Sequence, residues 1–145
     1  MSVVTNIVAA EDDEIEAVGE SLHPANEWSG IELRDLDTGK IATLHCLLTG
    51  DLFDDALAHY EPVYVSAAEG AIVLRLADEV TVRLAELEED ALEQIAMEVA
   101  ATEEFESEQW EEGVVSAMLS ALAELARLAE SQGQALLAWI HPLRT

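Results

Sequence analysis

Apolar positions follow a strand-like pattern at the two ends of the chain and in one central region. Residues 2–9 (SVVTNIVA) form a run rich in β-branched side chains, which is typical of a first strand. Residues 134–141 (QALLAWIH) form a second apolar run, which Pro142 stops, and they predict a closing strand. Two shorter runs at residues 63–65 and 71–74 predict further strands between them.

Elsewhere, apolar residues recur every three or four positions and predict helices. Asp37 or Thr38 is expected to cap a helix that Gly50 ends, and a short helix is expected over residues 52–59. Residues 11–14 are acidic and favour the start of another helix. The apolar positions with this period are Ile15 and Val18, then Ile41, Leu44, Leu47 and Leu48, and after Asp78 the residues Val80, Leu84, Leu87, Leu92, Ile95, Met97 and Val99.

The most regular helical pattern covers residues 111–131 and ends at Gly133. Residues 23–30 and 103–112 lack a period and are interpreted as loops, the second of them strongly acidic. Strands at both ends with helices between them predict an α+β fold. We expect a single compact domain over residues 1–145, with a small sheet packed against several helices and one long late helix. The apolar face of that helix suits a core or a dimer equally well.

The charge balance restricts the classes of partner. The chain has 31 Asp and Glu against 6 Lys and Arg, a formal net charge of −25, and only acidic charges stand between Arg83 and Arg127. Direct binding to nucleic acid or to an anionic membrane depends on Lys and Arg, so the composition excludes both. A field of this sign attracts basic proteins, although an acidic surface also serves solubility alone.

The cysteine content, the length of the apolar runs and the N-terminal residues predict that the protein is located in the cytoplasm. Cys46 is the single cysteine, so no internal disulfide forms. No apolar run reaches the roughly 20 residues needed to span a bilayer. The N-terminus lacks the basic segment of a secretory signal.

Three functional motifs are considered in the segment from Asp35 to Asp51, and none holds. Gly39-Lys40 lacks the glycine pattern and the Ser or Thr of a phosphate-binding loop. A calcium loop starting at Asp35 fails, since Lys40 and Cys46 occupy the places of its glycine and glutamate. His45 and Cys46 point about 100° apart on a helix, so we expect them to be packing residues rather than a base and nucleophile.

A metal site is considered at Asp55 and His59, whose spacing of four residues allows both to contact one ion, with Asp51, Asp54 and Glu61 nearby. Only one imidazole is available locally, so neither a metal site nor a cofactor is predicted. A small metal-dependent hydrolase using Asp51, Asp55 and His59 is kept as the alternative function.

Residues 36–50 (LDTGKIATLHCLLTG) combine Leu-Asp, Lys, Leu-His and Leu-Leu-Thr-Gly in that order. This order resembles a pattern of the YfbM-like family of bacterial domains of unknown function. Cys46 replaces the family's usual aromatic residue, so the chain is identified as a divergent member. The resemblance implies a compact α+β fold in which His45 and the Leu-Thr-Gly turn are structural. It implies no reaction, because the family has no agreed one.

Acidity and the absence of a catalytic motif predict a non-enzymatic interaction protein. The most concrete form is an immunity or antitoxin protein that neutralises a basic toxin or effector, and a DNA mimic is a variant of the same hypothesis. Trp139 is expected in the core, whereas Trp28 and Trp110 lie in polar segments and suit an interface or a packed position equally. The predicted contact residues are Glu103, Glu104, Glu106, Glu108, Trp110, Glu111, Glu112 and Trp28.

Overall fold

The protein's structure, a computed structural model, describes residues 3–67 and 70–141. Ser2 and Pro142, which belong to two of the predictions above, lie outside these residues. The strands are β1 (Val4–Ala10), β2 (Gly30–Arg34), β3 (Tyr64–Val65), β4 (Ile72–Arg75) and β5 (Ala135–His141). The helices are α1 (Ile15–Glu20), α2 (Pro24–Glu27), α3 (Thr38–Thr49), α4 (Phe53–Ala58), α5 (Asp78–Glu86), α6 (Glu89–Ala100), α7 (Glu103–Glu106) and α8 (Glu112–Gln132), and a single 3-10 turn precedes α1.

The sheet is antiparallel, with the strand order β2-β1-β5-β4-β3. The two terminal strands pair along their whole length, from Val4 opposite His141 to Ala10 opposite Ala135. All seven residues of each strand are buried. The C-terminal strand is therefore the centre of the sheet, and its unbroken apolar run reflects burial on both faces rather than on one.

Alternate residues of the sheet enter two separate cores. Ile7, Leu136 and Ala138 face the larger core, which is closed by α3, α5, α6 and α8. Val8 and Trp139 face a smaller core on the other side, closed by residues of α1 and α2. This arrangement confirms the predicted α+β domain, and it confirms Trp139 as a core residue that is 0% exposed.

Helix α3 begins and ends where the sequence predicted. The side chain of Asp37 accepts a hydrogen bond from the backbone N–H of Lys40 at 3.0 Å, which makes Asp37 the N-cap. Gly50 follows the helix with a φ of 85°, a conformation that glycine adopts without steric cost. The long helix is also confirmed, as Glu112–Gln132, and its apolar face is buried in the larger core.

Two predicted loops contain regular structure. Residues 23–30 include α2, which has Pro24 at its first turn, where the fixed φ of proline favours a helix. The same segment leads into strand β2, which was not predicted. Residues 103–112 include α7, because Phe105 is fully buried and fixes one turn of helix against the larger core. Of the helices in residues 3–67 and 70–141, none combines the length and apolarity needed to cross a bilayer.

Candidate functional site

The acidic segment, residues 103–112, is attached to the domain by two aromatic rings. Phe105 is 0% exposed, and Trp110 packs edge-on against it with ring centroids 5.1 Å apart. Trp110 is half-buried and contacts the larger core. The segment is therefore an ordered surface, and Trp110 is part of its support as well as part of its exterior.

A buried lysine ties the same segment to helix α3. Lys40 is 1% exposed, and its Nζ forms an ion pair with Glu108 and a longer one, at 3.4 Å, with Asp37. An ammonium group in this environment requires a charged partner, because its transfer from water is costly. Glu108, predicted as a contact residue, thus already has an intramolecular partner, although its side chain is 46% exposed. The two partners are 68 positions apart, so no local pattern in the sequence signals their pairing.

The remaining acids of the segment are available to solvent. Among residues 3–67 and 70–141, no basic side chain forms an ion pair with any of them. Four are exposed and one is partly buried; they are Glu103, Glu104, Glu106, Glu111 and Glu112.

Trp28 lies on the opposite face of the sheet from Trp110. Its ring packs against the smaller core, and its Nε1–H donates to Glu14 at 3.1 Å. The structure therefore does not bring Trp28 together with the acidic segment, and the predicted contact residues divide between two surfaces.

Beside the acidic segment, a groove of about 750 Å³ runs between strand β2 and the first half of α8. Its lining is mainly apolar, and includes Ile31, Leu33, Trp110, Val114 and Met118. Its charged lining residues are four acids and one base, namely Glu32, Asp35, Glu108, Glu111 and Arg34.

One wall of the groove is the edge strand β2, some of whose backbone groups have no backbone partner among residues 3–67 and 70–141. The N–H of Asp35 donates to Val3 and that of Ala9 donates to Ser29, which fixes the hydrogen-bonded pairs between β1 and β2. In an antiparallel ladder such pairs alternate, so Ile31 and Leu33 bond to β1. The backbone groups of Gly30, Glu32 and Arg34 point away from the sheet. The apolar-polar alternation of residues 30–34 is the signal that could have predicted this strand.

A second cluster lies at the α3–α4 hairpin. His45, in the last turns of α3, is 1% exposed, and its ring is held at both nitrogens. Its Nε2 is 2.7 Å from Oδ2 of Asp51, and its Nδ1 is 2.8 Å from the hydroxyl of Tyr60. His59 stacks on the same ring at a centroid distance of 5.1 Å. The predicted packing role of His45 agrees with this environment.

The hydrogen bonds define the tautomer of His45. The carboxylate of Asp51 can only accept, so it requires the proton of the neutral imidazole on Nε2. Nδ1 then accepts from the Tyr60 hydroxyl, whose oxygen also accepts the backbone N–H of Ala77 at 3.4 Å. The N–H at Nε2 donates to Asp51. This hydrogen bond lowers the pKa of the Asp51 carboxyl, whereas burial raises the pKa of Tyr60 to about 12.

The structure changes the ligand set that the sequence suggested. His45, Asp51 and His59 each offer a ligand atom, and these atoms lie within 4.8 Å of one another. Asp55 is exposed on α4 and is not in this group. Cys46 is half-buried, and desolvation raises the pKa of its thiol, which keeps it protonated and unreactive. Residue spacing gives no signal for His45, because its approach to His59 depends on how α4 folds back.

No protein-family model, curated protein or solved structure matches the chain. The resemblance to the YfbM-like family stays a prediction.

Proposed function

We propose that this chain is a non-enzymatic, cytoplasmic interaction protein that binds a basic protein. Its most concrete form is an immunity or antitoxin protein that neutralises a basic toxin or effector. The observation that carries the proposal is the groove between β2 and α8, where an apolar lining is surrounded by an excess of carboxylates. Apolar contacts supply affinity in such a site, and the charges select the partner.

The charge of the whole surface supports capture of a basic partner. A net charge of −25 attracts such a protein over a distance limited by salt screening, and it raises the association rate. The acids outside the groove, Glu103, Glu104 and Glu106, act in this long-range step. Trp110 and Glu111, which line the groove, act in the bound complex.

The edge of β2 supports a specific mode of contact. Outward backbone groups at Gly30, Glu32 and Arg34 can pair with an extended segment of the partner, which adds a strand to the sheet. Side chains of an added strand alternate between the two faces. Every second side chain of the partner then enters the apolar groove, and basic residues between them face Glu32.

A pair of matched variants tests this surface. Val114 is 54% exposed and lines the groove, whereas Val82 is 39% exposed on α5 and lies outside it. Tagged wild-type protein, Val114→Arg and Val82→Arg are used to capture proteins from a lysate of the native host at low salt, followed by elution at high salt. We expect one basic protein with the wild type and with Val82→Arg, and its loss with Val114→Arg.

Both variants add one positive charge, so a difference between them reports on the groove rather than on net charge. Equal capture by the three proteins contradicts the assignment of the groove. Capture of acidic or neutral proteins alone contradicts the proposed class of partner. Reversing charge with Glu103→Lys and Glu104→Lys together is expected to slow association and to reduce its salt dependence.

A metal-dependent hydrolase remains the second candidate, and the cluster of two imidazoles and a carboxylate is the observation that favours it. His45 takes the place that the sequence prediction assigned to Asp55. That function requires that the purified protein contain one bound metal ion per chain and that the His59→Ala variant lose it.

A further inference from the structure

The cluster at the α3–α4 hairpin has features of a binding site that the interaction function does not use. His45 and Asp51 are already in contact, and His59 adds a third donor within 4.8 Å. None of the three lines the groove between β2 and α8. We propose that His45, Asp51 and His59 bind one divalent transition-metal ion of the zinc class.

The donor atoms determine the class of ion. Two imidazole nitrogens and one carboxylate oxygen suit Zn²⁺, Ni²⁺ or Cu²⁺, whereas Mg²⁺ and Ca²⁺ prefer oxygen donors throughout. Three protein ligands leave a coordination position open in a tetrahedral site. Because imidazole ligands are neutral, the carboxylate of Asp51 supplies the negative charge of the cluster. The acidic surface raises the local concentration of cations around it.

Two of the three ligands are held in place before any ion arrives. The ring of His45 is buried, and the Tyr60 hydroxyl fixes its orientation from the far side. When an ion occupies Nε2, Nδ1 becomes the protonated nitrogen and donates to the Tyr60 oxygen, which is the usual support of a metal-bound histidine. Asp51 follows directly after the left-handed turn at Gly50, which brings its carboxylate back to the end of α3.

Binding requires small, local changes. The ion takes the place of the proton on Nε2 of His45, and the neutral ring carries its one proton on Nδ1 instead. The N–H at Nδ1 then donates a hydrogen bond to the Tyr60 oxygen, since a hydroxyl can donate or accept. Ligand atoms around a tetrahedral zinc are about 3.4 Å apart, given bond lengths near 2.1 Å. His59 is exposed, so its ring can rotate toward the other two donors without disturbing the core.

A group of acids before α1 has a structural explanation, and we propose no metal site there. Glu11, Asp13 and Glu14 also lie within reach of one another. Glu14 accepts the N–H of Glu11 at 2.9 Å and the indole N–H of Trp28 at 3.1 Å, so it closes the first turn before α1. The cluster contains only oxygen donors and lacks the imidazoles that select a transition metal.

Calorimetric titration of the full-length, untagged and chelator-treated protein with Zn²⁺ tests the proposal. We expect one ion per chain, with a Kd in the micromolar range or tighter, and no binding of Mg²⁺ under the same conditions. His59→Ala should weaken Zn²⁺ binding by about tenfold or more, because it removes a direct ligand. Asp54→Asn is the matched control, because Asp54 is exposed on α4, the helix that His59 directly follows. The Zn²⁺ affinity of this variant should equal that of the wild type.

A spectroscopic readout separates this site from non-specific cation binding. Co²⁺ bound by two imidazoles and a carboxylate should give visible absorption bands that His59→Ala abolishes and Asp54→Asn retains. Zn²⁺ binding that is absent, or that is unchanged in His59→Ala, overturns the proposal. Because His59 is exposed, its substitution is expected to leave the fold intact, which circular dichroism can verify.

Discussion

The ion pair between Lys40 and Glu108 predicts an asymmetric response to mutation. Glu108→Ala leaves the ammonium group of Lys40 buried with only the longer contact to Asp37 at 3.4 Å. Lys40→Met removes the buried charge and keeps an apolar side chain of similar length in its place. The carboxylate of Glu108, which is 46% exposed, then turns to water. Asp37, which is 48% exposed, keeps its N-cap hydrogen bond to the backbone N–H of residue 40.

The exposure of Lys40 and Glu108 determines how much unfolding free energy we expect the substitutions to cost. Breaking a fully buried pair costs about 3–5 kcal/mol, and an exposed pair contributes about 0–1 kcal/mol. With Lys40 at 1% exposure and the Glu108 side chain at 46%, we expect Glu108→Ala to cost about 2 kcal/mol of unfolding free energy. Lys40→Met should cost less than about 1 kcal/mol, because apolar replacement of a buried charge is often neutral.

Urea denaturation followed by tryptophan fluorescence measures both free energies of unfolding. For a domain of this size, the loss in Glu108→Ala corresponds to a fall in Tm of about 4–8 °C. Glu106→Ala is the control, since Glu106 is exposed in the same segment and should change the stability by less than about 0.5 kcal/mol. Equal stability of Glu108→Ala and the control, or a larger loss in Lys40→Met, refutes the reasoning.

Two further predictions concern hydrogen bonds, one at His45 in α3 and one at Arg75, the last residue of β4. Tyr60→Phe should lower the unfolding free energy by about 1–3 kcal/mol, because the buried Nδ1 of His45 loses its donor and the N–H of Ala77 its acceptor; thermal denaturation checks this. Arg75 donates to Asp12 at 2.7 Å and lowers the pKa of that carboxyl. The resulting stability is present above the unfolded pKa of Asp12 and is lost as pH falls through the lower folded pKa. The stability difference between wild type and Asp12→Asn should therefore disappear in acid, and a difference that persists there contradicts the assignment.

Local sequence determined the elements whose signals lie within a few residues of one another. Helix α3 is an example, because its cap at Asp37 and its end at Gly50 are both local, and α8 is another, because its apolar period extends over 21 residues. Strand β2 was missed because its alternating run is only five residues long and begins at Gly30, within the segment interpreted as a loop, and helix α7 because one buried ring, Phe105, supports it.

Tertiary structure alone decided which side chains meet. Lys40 forms an ion pair with Glu108, which is 68 positions away in the sequence, and the ring of His45 stacks on that of His59 because α4 folds back on α3. The sheet places Trp28 and Trp110 on opposite faces, although both stand in polar segments of the sequence. Periodicity reports the face that a residue occupies within its own element. The distance between elements depends on packing throughout the domain, so the groove beside β2 and the approach of His45 to His59 became visible only in the folded chain.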